Sequence, residues 1–332
     1  MSAELLQVED LKVHFPVVRG GLFKKEKKVV HAVDGVSFAM EAGKTLGLVG
    51  ESGCGKSTTG RAITRLIKAT AGKVSFDSQN VIEFKRSQLL AFRRTCQMVF
   101  QNPYSSLDPR MTISSILSEP LNALTNLSRK EKLERVQQLM KEVNLNPKFL
   151  NRYPHEFSGG QRQRINIARA LSVYPKLIVA DEPVSALDVS IQAQIINLLQ
   201  DLQAKYQMAY LFIAHDLSVV KTLSHRVAVM YLGKIVELGD TRTLYGDPRH
   251  PYTQALMSAV PLHDPEKERK RKRIVLTGEI PSPINLPKGC RFHPRCPIAT
   301  DRCRVEEPAL KKANNGSFVA CHYADENKNK II

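Results

Sequence analysis

Residues 45–57 read Thr-Leu-Gly-Leu-Val-Gly-Glu-Ser-Gly-Cys-Gly-Lys-Ser, and this stretch decides the fold. Its second part, residues 50–57, matches the G-x-x-x-x-G-K-[ST] phosphate loop. The apolar run Thr45–Val49 predicts the buried strand that leads into the loop, and Ser57–Lys68 is predicted as the helix that follows. The backbone N–H groups of such a loop, and the start of its helix, surround phosphate oxygens. The stretch therefore predicts a nucleoside triphosphate site in an α/β fold.

Two side chains of this loop carry predicted chemistry. Lys56 is expected to reach the β- and γ-phosphates, and the Ser57 hydroxyl is expected to ligate Mg²⁺. The predicted nucleotide contacts in this segment are Gly50, Glu51, Ser52, Gly53, Cys54, Gly55, Lys56, Ser57 and Thr58.

A pair of acids, Asp181 and Glu182, ends the apolar run Leu177–Ala180. We expect Asp181 to hold the magnesium, directly or through water, and Glu182 to act as general base toward the attacking water. Adjacent acids at a strand end can instead cap the next helix. The phosphate loop upstream favours the catalytic interpretation.

A second glycine segment, Ser158-Gly159-Gly160-Gln161, opens the helical stretch Arg162–Leu171. The serine hydroxyl, the glycine N–H groups and the helix dipole together form an anion site. Taken alone, this short pattern is more typical of a simple helix N-cap. One nucleotide needs only one phosphate-binding loop, so the second glycine segment indicates a site that is completed by a second subunit.

The rest of the chain predicts a parallel sheet with helices on its faces. Short strands are expected within residues 5–49, and a mostly helical pattern covers residues 102–160. Strand and helix then alternate, which is typical of a parallel sheet. The individual predictions are strands at Leu11–Phe15, Val29–Phe38, Lys176–Ala180 and Tyr210–Ala214, helices at Arg129–Val143 and Ile191–Lys205, and a closing hairpin at Val227–Tyr231 and Lys234–Leu238.

Length and charge limit the class of protein. The 332 residues allow one large α/β domain plus a smaller unit. No apolar stretch approaches the roughly 20 residues of a membrane helix, and the N-terminus lacks a secretion signal, so we expect a cytosolic protein.

Lys and Arg (49) exceed Asp and Glu (32) by 17. The basic runs Lys24–Lys28 and Lys267–Arg273 are interpreted as solvated loops, with an anionic membrane surface as second choice and nucleic acid below it.

Four of the six cysteines crowd into the last fifth of the chain, in the pattern C-x5-C-x6-C-x17-C. In a reducing cytosol such a set favours a metal over disulfides. Four thiolates suit zinc or an iron–sulfur cluster, and the absence of C-x2-C pairs favours the cluster. His293 and His322 lie nearby and complicate the prediction of the ligands. The four cysteines are Cys290, Cys296, Cys303 and Cys321.

The order of these motifs resembles that of the ATP-binding subunits of ABC transporters, over roughly residues 5–255. The resemblance implies a phosphate-loop ATPase fold with a parallel sheet core, an N-terminal antiparallel β subdomain and a helical subdomain. It also implies ATP and Mg²⁺ as cofactors. In that family the glutamine that precedes a flexible loop, here Gln101, contacts the magnesium and the attacking water and senses the membrane partner.

The resemblance also assigns the second glycine segment. The family signature is usually Leu-Ser-Gly-Gly-Gln, and Phe157 replaces the leucine here. It implies that Ser158–Gln161 of one subunit clamps the γ-phosphate held by the other subunit, so that two ATP molecules lie in a head-to-tail dimer. His215 resembles the switch histidine that contacts the γ-phosphate, and Asp188 the residue that ties the subunits together. Phe15 is the predicted adenine-stacking ring, with His31 as the competing candidate.

The cysteine-rich tail, together with residues 246–253, resembles that of the ATPase subunits of dipeptide and oligopeptide importers. Nickel and glutathione importers share this tail. The resemblance implies an ATPase domain at 1–258, with its helical subdomain at about 102–160, and a small extension at 259–332 that carries a [4Fe-4S] cluster, or alternatively Zn²⁺.

The implied partners are a paralogous ATPase, favoured as heterodimer over homodimer, two transmembrane permease subunits and a solute-binding protein. The implied location is the cytoplasmic face of the inner membrane, as a peripheral subunit. One rival is an ABC-type ATPase acting on nucleic acid, but the chain has one cassette and no long coiled-coil insertion. A regulatory nucleotide-binding protein with little turnover is a second rival, against which Glu182 and His215 argue. No nucleic-acid partner is expected.

Overall fold

The computed structural model describes residues 4–19, 26–260, 266, 269 and 273–326. Its contacts divide the chain into two compact units, each described by itself. The first unit comprises Met1–Leu6, Met40–Thr45 and Ser75–Ile213, and the second comprises Gln7–Ala39, Leu46–Val74 and Ala214–Ile332. The predicted boundary between residues 1–258 and 259–332 stays a prediction.

The described residues form short strands and helices along the whole chain. The strands are β1 (Glu4–Arg19), β2 (Glu26–Glu41), β3 (Thr45–Val49), β4 (Ala71–Phe76), β5 (Gln79–Asn80), β6 (Cys96–Val99), β7 (Leu177–Asp181), β8 (Ala209–Ile213), β9 (Arg226–Tyr231), β10 (Lys234–Asp240), β11 (Lys311–Lys312) and β12 (Phe318–Val319). The helices are α1 (Lys56–Ile63), α2 (Arg86–Thr95), α3 (Pro103–Ser106), α4 (Ile113–Leu124), α5 (Arg129–Glu142), α6 (Gly159–Leu171), α7 (Val189–Tyr206), α8 (Leu217–Leu223), α9 (Thr241–Gly246), α10 (Pro251–Ser258) and α11 (Asp301–Val305).

The first unit contains a parallel sheet, as predicted from the strand–helix alternation. Strand β7 pairs in parallel with β6 on one side and with β8 on the other. Every residue of β7 and β8 is buried, which explains why both read as continuous apolar runs. Because parallel strands end at the same edge, Asp181 at the end of β7 lies beside Ile213 of β8.

Helix α5 shows why the sequence of the first unit specifies its helices. Ser128 accepts the N–H of Glu131, and the Glu131 carboxylate accepts the N–H of Ser128, which forms a capping box. Val136, Leu139 and Met140 lie on one face and are buried. The helix ends at Glu142, one residue before the predicted end.

The second unit contains a sheet that passes from the phosphate loop to the C-terminal residues. Strand β3 pairs in parallel with β9, and β9 pairs antiparallel with β10. The predicted β9–β10 hairpin turns at Leu232 and Gly233, whose positive φ angles of 44° and 81° suit a tight two-residue turn. Strand β12 pairs antiparallel with β10, and β11 with β12. Residues near the C-terminus therefore extend the same sheet.

Several predicted boundaries differ from the structure. Helix α1 ends at Ile63 rather than Lys68, because Arg65 has a left-handed φ of 58° that no helix continues through. Strands β1 and β2 each run for 16 residues and are longer than predicted. Residues 24, 25, 267, 268 and 270–272 of the two basic runs lie outside the described residues. Among the described residues, no helix is both long and apolar enough to cross a membrane.

Candidate nucleotide site

The phosphate loop is held in a conformation that requires glycine at two positions. Gly50 and Gly55 have φ angles of 151° and 106°. A Cβ at Gly50 would lie 2.1 Å from the carbonyl oxygen of Met230, and one at Gly55 would lie 2.1 Å from that of Ala32. Both obstacles are backbone atoms, so the loop cannot relax around a side chain. The N–H of Gly233 also donates to the carbonyl of Cys54 at 2.9 Å, which ties the loop to the β9–β10 turn.

Lys56 is buried and its ammonium is folded against the loop. Its Nζ donates to the carbonyls of Gly50 at 2.8 Å and Glu51 at 2.9 Å. These bonds satisfy a buried cation, which is otherwise costly. Ser57 follows at the start of α1 and is half-buried. Cys54 is buried, and burial raises the pKa of its thiol, so this cysteine is not a reactive thiolate.

Two residues distant in sequence hold Glu51, and the sequence analysis missed both. The Tyr252 hydroxyl accepts the backbone N–H of Glu51 at 2.8 Å. The Arg295 guanidinium binds the Glu51 carboxylate with two bonds, of 2.7 and 3.0 Å. Separations of 201 and 244 residues leave no local pattern that predicts such contacts.

The acid pair and Gln101 form a cluster in the first unit. Asp181 is fully buried at the end of β7. Glu182 has a left-handed φ of 48°, and its N–H donates to the carbonyl of Ile213 at 2.9 Å. The Gln101 side-chain amide donates to the Glu182 carboxylate at 2.8 Å. The structure thus brings together two of the three predicted catalytic side chains.

The second glycine segment begins α6 with a capping box. The Ser158 hydroxyl accepts the N–H of Gln161 at 3.3 Å, and the Gln161 side-chain oxygen accepts the N–H of Ser158 at 3.0 Å. Gly160 packs on α7, because a Cβ there would lie 2.6 Å from Cγ2 of Ile191. Ser158 is exposed. The segment therefore meets the local requirements of an N-cap and also leaves its serine accessible.

The remaining predicted nucleotide residues lie at exposed or half-buried positions. His215 follows β8 and Asp188 precedes α7, and both are exposed. Phe15 in β1 is 41% exposed. The His31 ring, its competitor for adenine, packs edge-on against His14 with 4.3 Å between the ring centroids.

His14 and Arg291 both bind Asp34 in the second unit. The His14 Nε2 atom lies 2.8 Å from Asp34, and Arg291 forms an ion pair with the same carboxylate and donates to the carbonyl of Leu232. Burial alone would raise the pKa of Asp34, but the hydrogen bonds from Arg291 and His14 lower it to about 2. A residue of the C-terminal segment is thereby anchored to β2.

The four C-terminal cysteines line one cavity, together with Phe292 and Tyr323. Burial raises the pKa of the Cys296 thiol to about 11 and that of Cys321 to about 12. A bound metal would reverse this preference, because it stabilises the thiolate directly. Gly289 has a φ of 65° and lies against the chain at Cys303, where Cys290 donates its N–H to the Cys303 carbonyl at 2.8 Å.

Comparison with known proteins defines the class to which this site belongs. A family model described as "ABC transporter" matches residues 33–185. A second, described as "Oligopeptide/dipeptide transporter, C-terminal region", matches residues 236–303. A solved structure of the ATP-binding cassette MJ0796, a dimer in a post-hydrolysis state bound to ADP and Pi, superposes with a TM-score of 0.62. That match is 27% identical and covers 71% of this chain and 99% of the cassette. The fold is that of an ABC ATPase.

Full-length relatives narrow the class. The oligopeptide transport ATP-binding protein AppF of Bacillus subtilis (strain 168) is 54% identical over 319 residues, which cover 96% of this chain and 97% of AppF. The dipeptide transport ATP-binding protein DppF of Haemophilus influenzae is 51% identical over 324 residues, which cover 98% of each chain. The chain belongs to the family of ABC transporter ATP-binding proteins of oligopeptide and dipeptide importers. It is thus an ATP-hydrolysing transporter subunit.

Proposed function

We propose that this chain energises the uptake of dipeptides or oligopeptides across the cytoplasmic membrane. The match of residues 236–303 to the C-terminal region of peptide transporters carries this proposal, because that region lies outside the general ATPase match. The relatives named as peptide transport proteins support it over nearly the full length.

The partners are proposed from the relatives, which are named as transport ATP-binding proteins. We propose two permease subunits, a solute-binding protein and a paralogous ATPase as partners, with this chain peripheral to the cytoplasmic face. Closure of the ATPase pair by ATP, and its reopening after hydrolysis, would then bias the transporter between two states.

The nucleotide chemistry is assigned as follows. Lys56 binds the β- and γ-phosphates, and Glu182 polarises the attacking water. The hydrogen bond from Gln101 to Glu182 supports a shared role in orienting that water. Magnesium is assigned to Ser57, Gln101 and Asp181, and the γ-phosphate contact within the same chain is assigned to His215. The contact with the nucleotide of the partner subunit is assigned to Ser158, Gly159, Gly160 and Gln161. Asp188 is assigned to the contact between the subunits, and Phe15 to the adenine ring.

The cysteine cavity is proposed as a [4Fe-4S] site. All four cysteines are described, and no three of their sulfur atoms lie within 4.8 Å of one another. Two thiolates on one tetrahedral zinc at about 2.3 Å would lie roughly 3.8 Å apart. Each thiolate of a cluster binds its own iron, which keeps the sulfurs farther apart. Iron and sulfide analysis after anaerobic purification tests this proposal, and zinc at one per chain without iron would contradict it.

The catalytic assignment is tested by Glu182→Gln in the assembled transporter. We expect turnover to fall by roughly 10²- to 10⁴-fold, the usual contribution of a general base, while ATP-dependent dimerisation is retained. Equal turnover in variant and parent would remove Glu182 from its role.

The solute is tested in cells that lack this chain. We expect such cells to lose uptake of a labelled dipeptide or oligopeptide, and to regain it with the parent chain but not with Glu182→Gln. Loss of nickel or glutathione uptake, with peptide uptake intact, would overturn the peptide assignment.

A further inference from the structure

Glu51, the second residue of the phosphate loop, is held at three separate points. Its backbone N–H donates to the Tyr252 hydroxyl at 2.8 Å. Its backbone carbonyl accepts the Lys56 ammonium at 2.9 Å. Its carboxylate accepts both Nη atoms of Arg295, at 2.7 and 3.0 Å. Because the Glu51 N–H is already bonded to Tyr252, the role of Glu51 is to fix the position of the loop residues on either side of it.

Arg295 reaches the loop from the C-terminal segment. It is the last residue of a one-turn 3₁₀ helix, His293–Arg295, and directly precedes Cys296 of the cysteine cavity. Phe292, just before this turn, is fully buried. The Phe292 ring packs against Tyr231 at 5.2 Å and Tyr252 at 5.5 Å, measured between ring centroids. The same aromatic group that supports Arg295 therefore also supports the tyrosine that binds the Glu51 N–H.

The Arg295–Glu51 pair differs from Arg302–Glu306, a second bidentate pair in the C-terminal segment. The Arg295 side chain is 7% exposed and that of Glu51 24% exposed. Arg302 binds Glu306 with similar distances of 2.7 and 3.1 Å, but both side chains are 54% exposed. A shielded, two-point guanidinium–carboxylate pair fixes geometry, whereas an exposed pair contributes little.

We propose that Arg295 is a positioning residue of the nucleotide site, which acts through Glu51 to hold the phosphate loop in its nucleotide-binding shape. Nucleotide affinity of this chain then depends on its C-terminal segment. A cradle of backbone N–H groups binds phosphate well only if it is already in the bound conformation, since ordering the loop upon binding costs affinity. The inference rests on the proposed assignment of residues 50–57 as the cradle.

The test compares the ATP affinity of the full chain and the steady-state kinetics of the assembled transporter in four variants. Arg295→Met removes the pair, and Arg302→Met is the matched control from the exposed pair. We expect Arg295→Met to weaken ATP binding and raise KM roughly tenfold, with kcat at saturating ATP within about twofold of the parent. Arg302→Met is expected to match the parent. Arg295→Met with unchanged ATP affinity would overturn the proposal, as would a fall in kcat without a rise in KM, which indicates only a smaller folded fraction.

The double variant Arg295→Met with Glu51→Gln separates positioning from simple charge. Arg295→Met alone leaves an unpaired carboxylate that repels phosphate, whereas the double variant has the same net charge as the intact pair. Positioning predicts that the double variant binds ATP as weakly as Arg295→Met. Recovery of the parent's affinity would show a purely electrostatic effect and would overturn the proposal.

Lys56→Ala distinguishes failure of this inference from failure of the nucleotide site itself. Loss of ATP binding in Lys56→Ala, together with parent-like binding in Arg295→Met, would refute only the role of Arg295. ATP binding that survives Lys56→Ala would instead refute the assignment of the cradle, and the role of Arg295 with it.

Discussion

The two glycine segments of this chain are both predicted to bind phosphate, but they are held in different ways. Residues 50–57 are fixed by contacts with distant parts of the second unit, including the backbones of Met230 and Ala32. Residues 158–161 are fixed by a capping box that spans only four residues, plus the contact of Gly160 with Ile191. The shape of the first segment is therefore set by residues that are distant in the chain. The second is a helix start whose serine is exposed and accessible to a second molecule.

Gly50→Ala should cause the largest loss of ATP affinity, because it places a side chain within the phosphate loop itself. Its Cβ would lie 2.1 Å from a backbone oxygen at a φ of 151°. A backbone conflict of this kind costs about 3 kcal/mol or more, which corresponds to a loss of ATP affinity of roughly hundredfold. Nucleotide titration of the purified chain measures it. Binding as tight as in the parent would show that the loop does not need its described shape.

Alanine at Gly159 is the matched change in the second segment, and its effect should fall on a different step. The nearest atoms to its Cβ would be Leu187 Cδ2 at 3.6 Å and the Tyr104 hydroxyl at 4.0 Å, which are ordinary contacts. We expect unchanged thermal stability and unchanged ATP binding. We also expect turnover at least about tenfold lower, because the added methyl group occupies the space proposed above for the partner's γ-phosphate. Parent-like turnover would place the proposed trans contact elsewhere.

The contrast between the segments also explains what the sequence could predict. The phosphate loop, the strand before it and the parallel strands that end at Asp181 and Ile213 are local patterns, and their positions were predicted to within a few residues. Helix α5 was predicted over Arg129–Val143 and lies at Arg129–Glu142. The contact between Gln101 and Glu182 was foreseeable only through the family resemblance.

The parts that escaped prediction depend on pairs far apart in the chain. Strand β12 pairs with β10 across about eighty residues, and nothing in its two residues marks it as a strand. Arg295 lies in a segment rich in proline, charged residues and cysteine. In such a segment the sequence indicates only an arginine that is exposed to solvent or close to a metal site. Glu237 lies within a correctly predicted strand, yet it is fully buried and accepts the N–H groups of Arg249 and His250, each at 2.9 Å. Periodicity carries no information about such partners.

A smaller loss of ATP affinity is expected when a residue of the cysteine cavity is changed. This loss should depend on Arg295. Cys296→Ser changes the residue directly after Arg295, so we expect ATP affinity to fall roughly threefold. In the Arg295→Met background the same change should have no further effect, since the connection to the loop is already lost. A thermodynamic cycle of ATP dissociation constants measures this coupling.

Cys96→Ser is the control for losing a buried thiol, because Cys96 lies in β6 of the first unit. It should leave ATP affinity unchanged. Additive losses in the cycle would mean that the cysteine cavity and Arg295 influence the loop independently.

A final effect concerns the stability of the fold rather than ATP affinity, and it separates Arg291, which anchors the C-terminal segment, from Arg295, which positions the loop. Asp34, the partner of Arg291, has its pKa lowered to about 2. A carboxyl whose pKa is lower in the folded state stabilises the fold at pH values above its unfolded pKa, which is about 4, and this contribution disappears as pH falls toward 2. Asp34→Asn should therefore cost about 2 kcal/mol of unfolding free energy at pH 7, and the difference from the parent should shrink below pH 4.

Denaturant unfolding of parent and variant between pH 7 and the acid limit of folding measures this difference. Asp108→Asn is the control, because Asp108 is bonded to Arg110 only two residues away. Such a local pair persists when the chain unfolds, so its loss should not change stability. A difference for Asp34→Asn that stays constant through the acid range would assign its cost to packing rather than to charge, and the Arg291 pair would then not be the anchor.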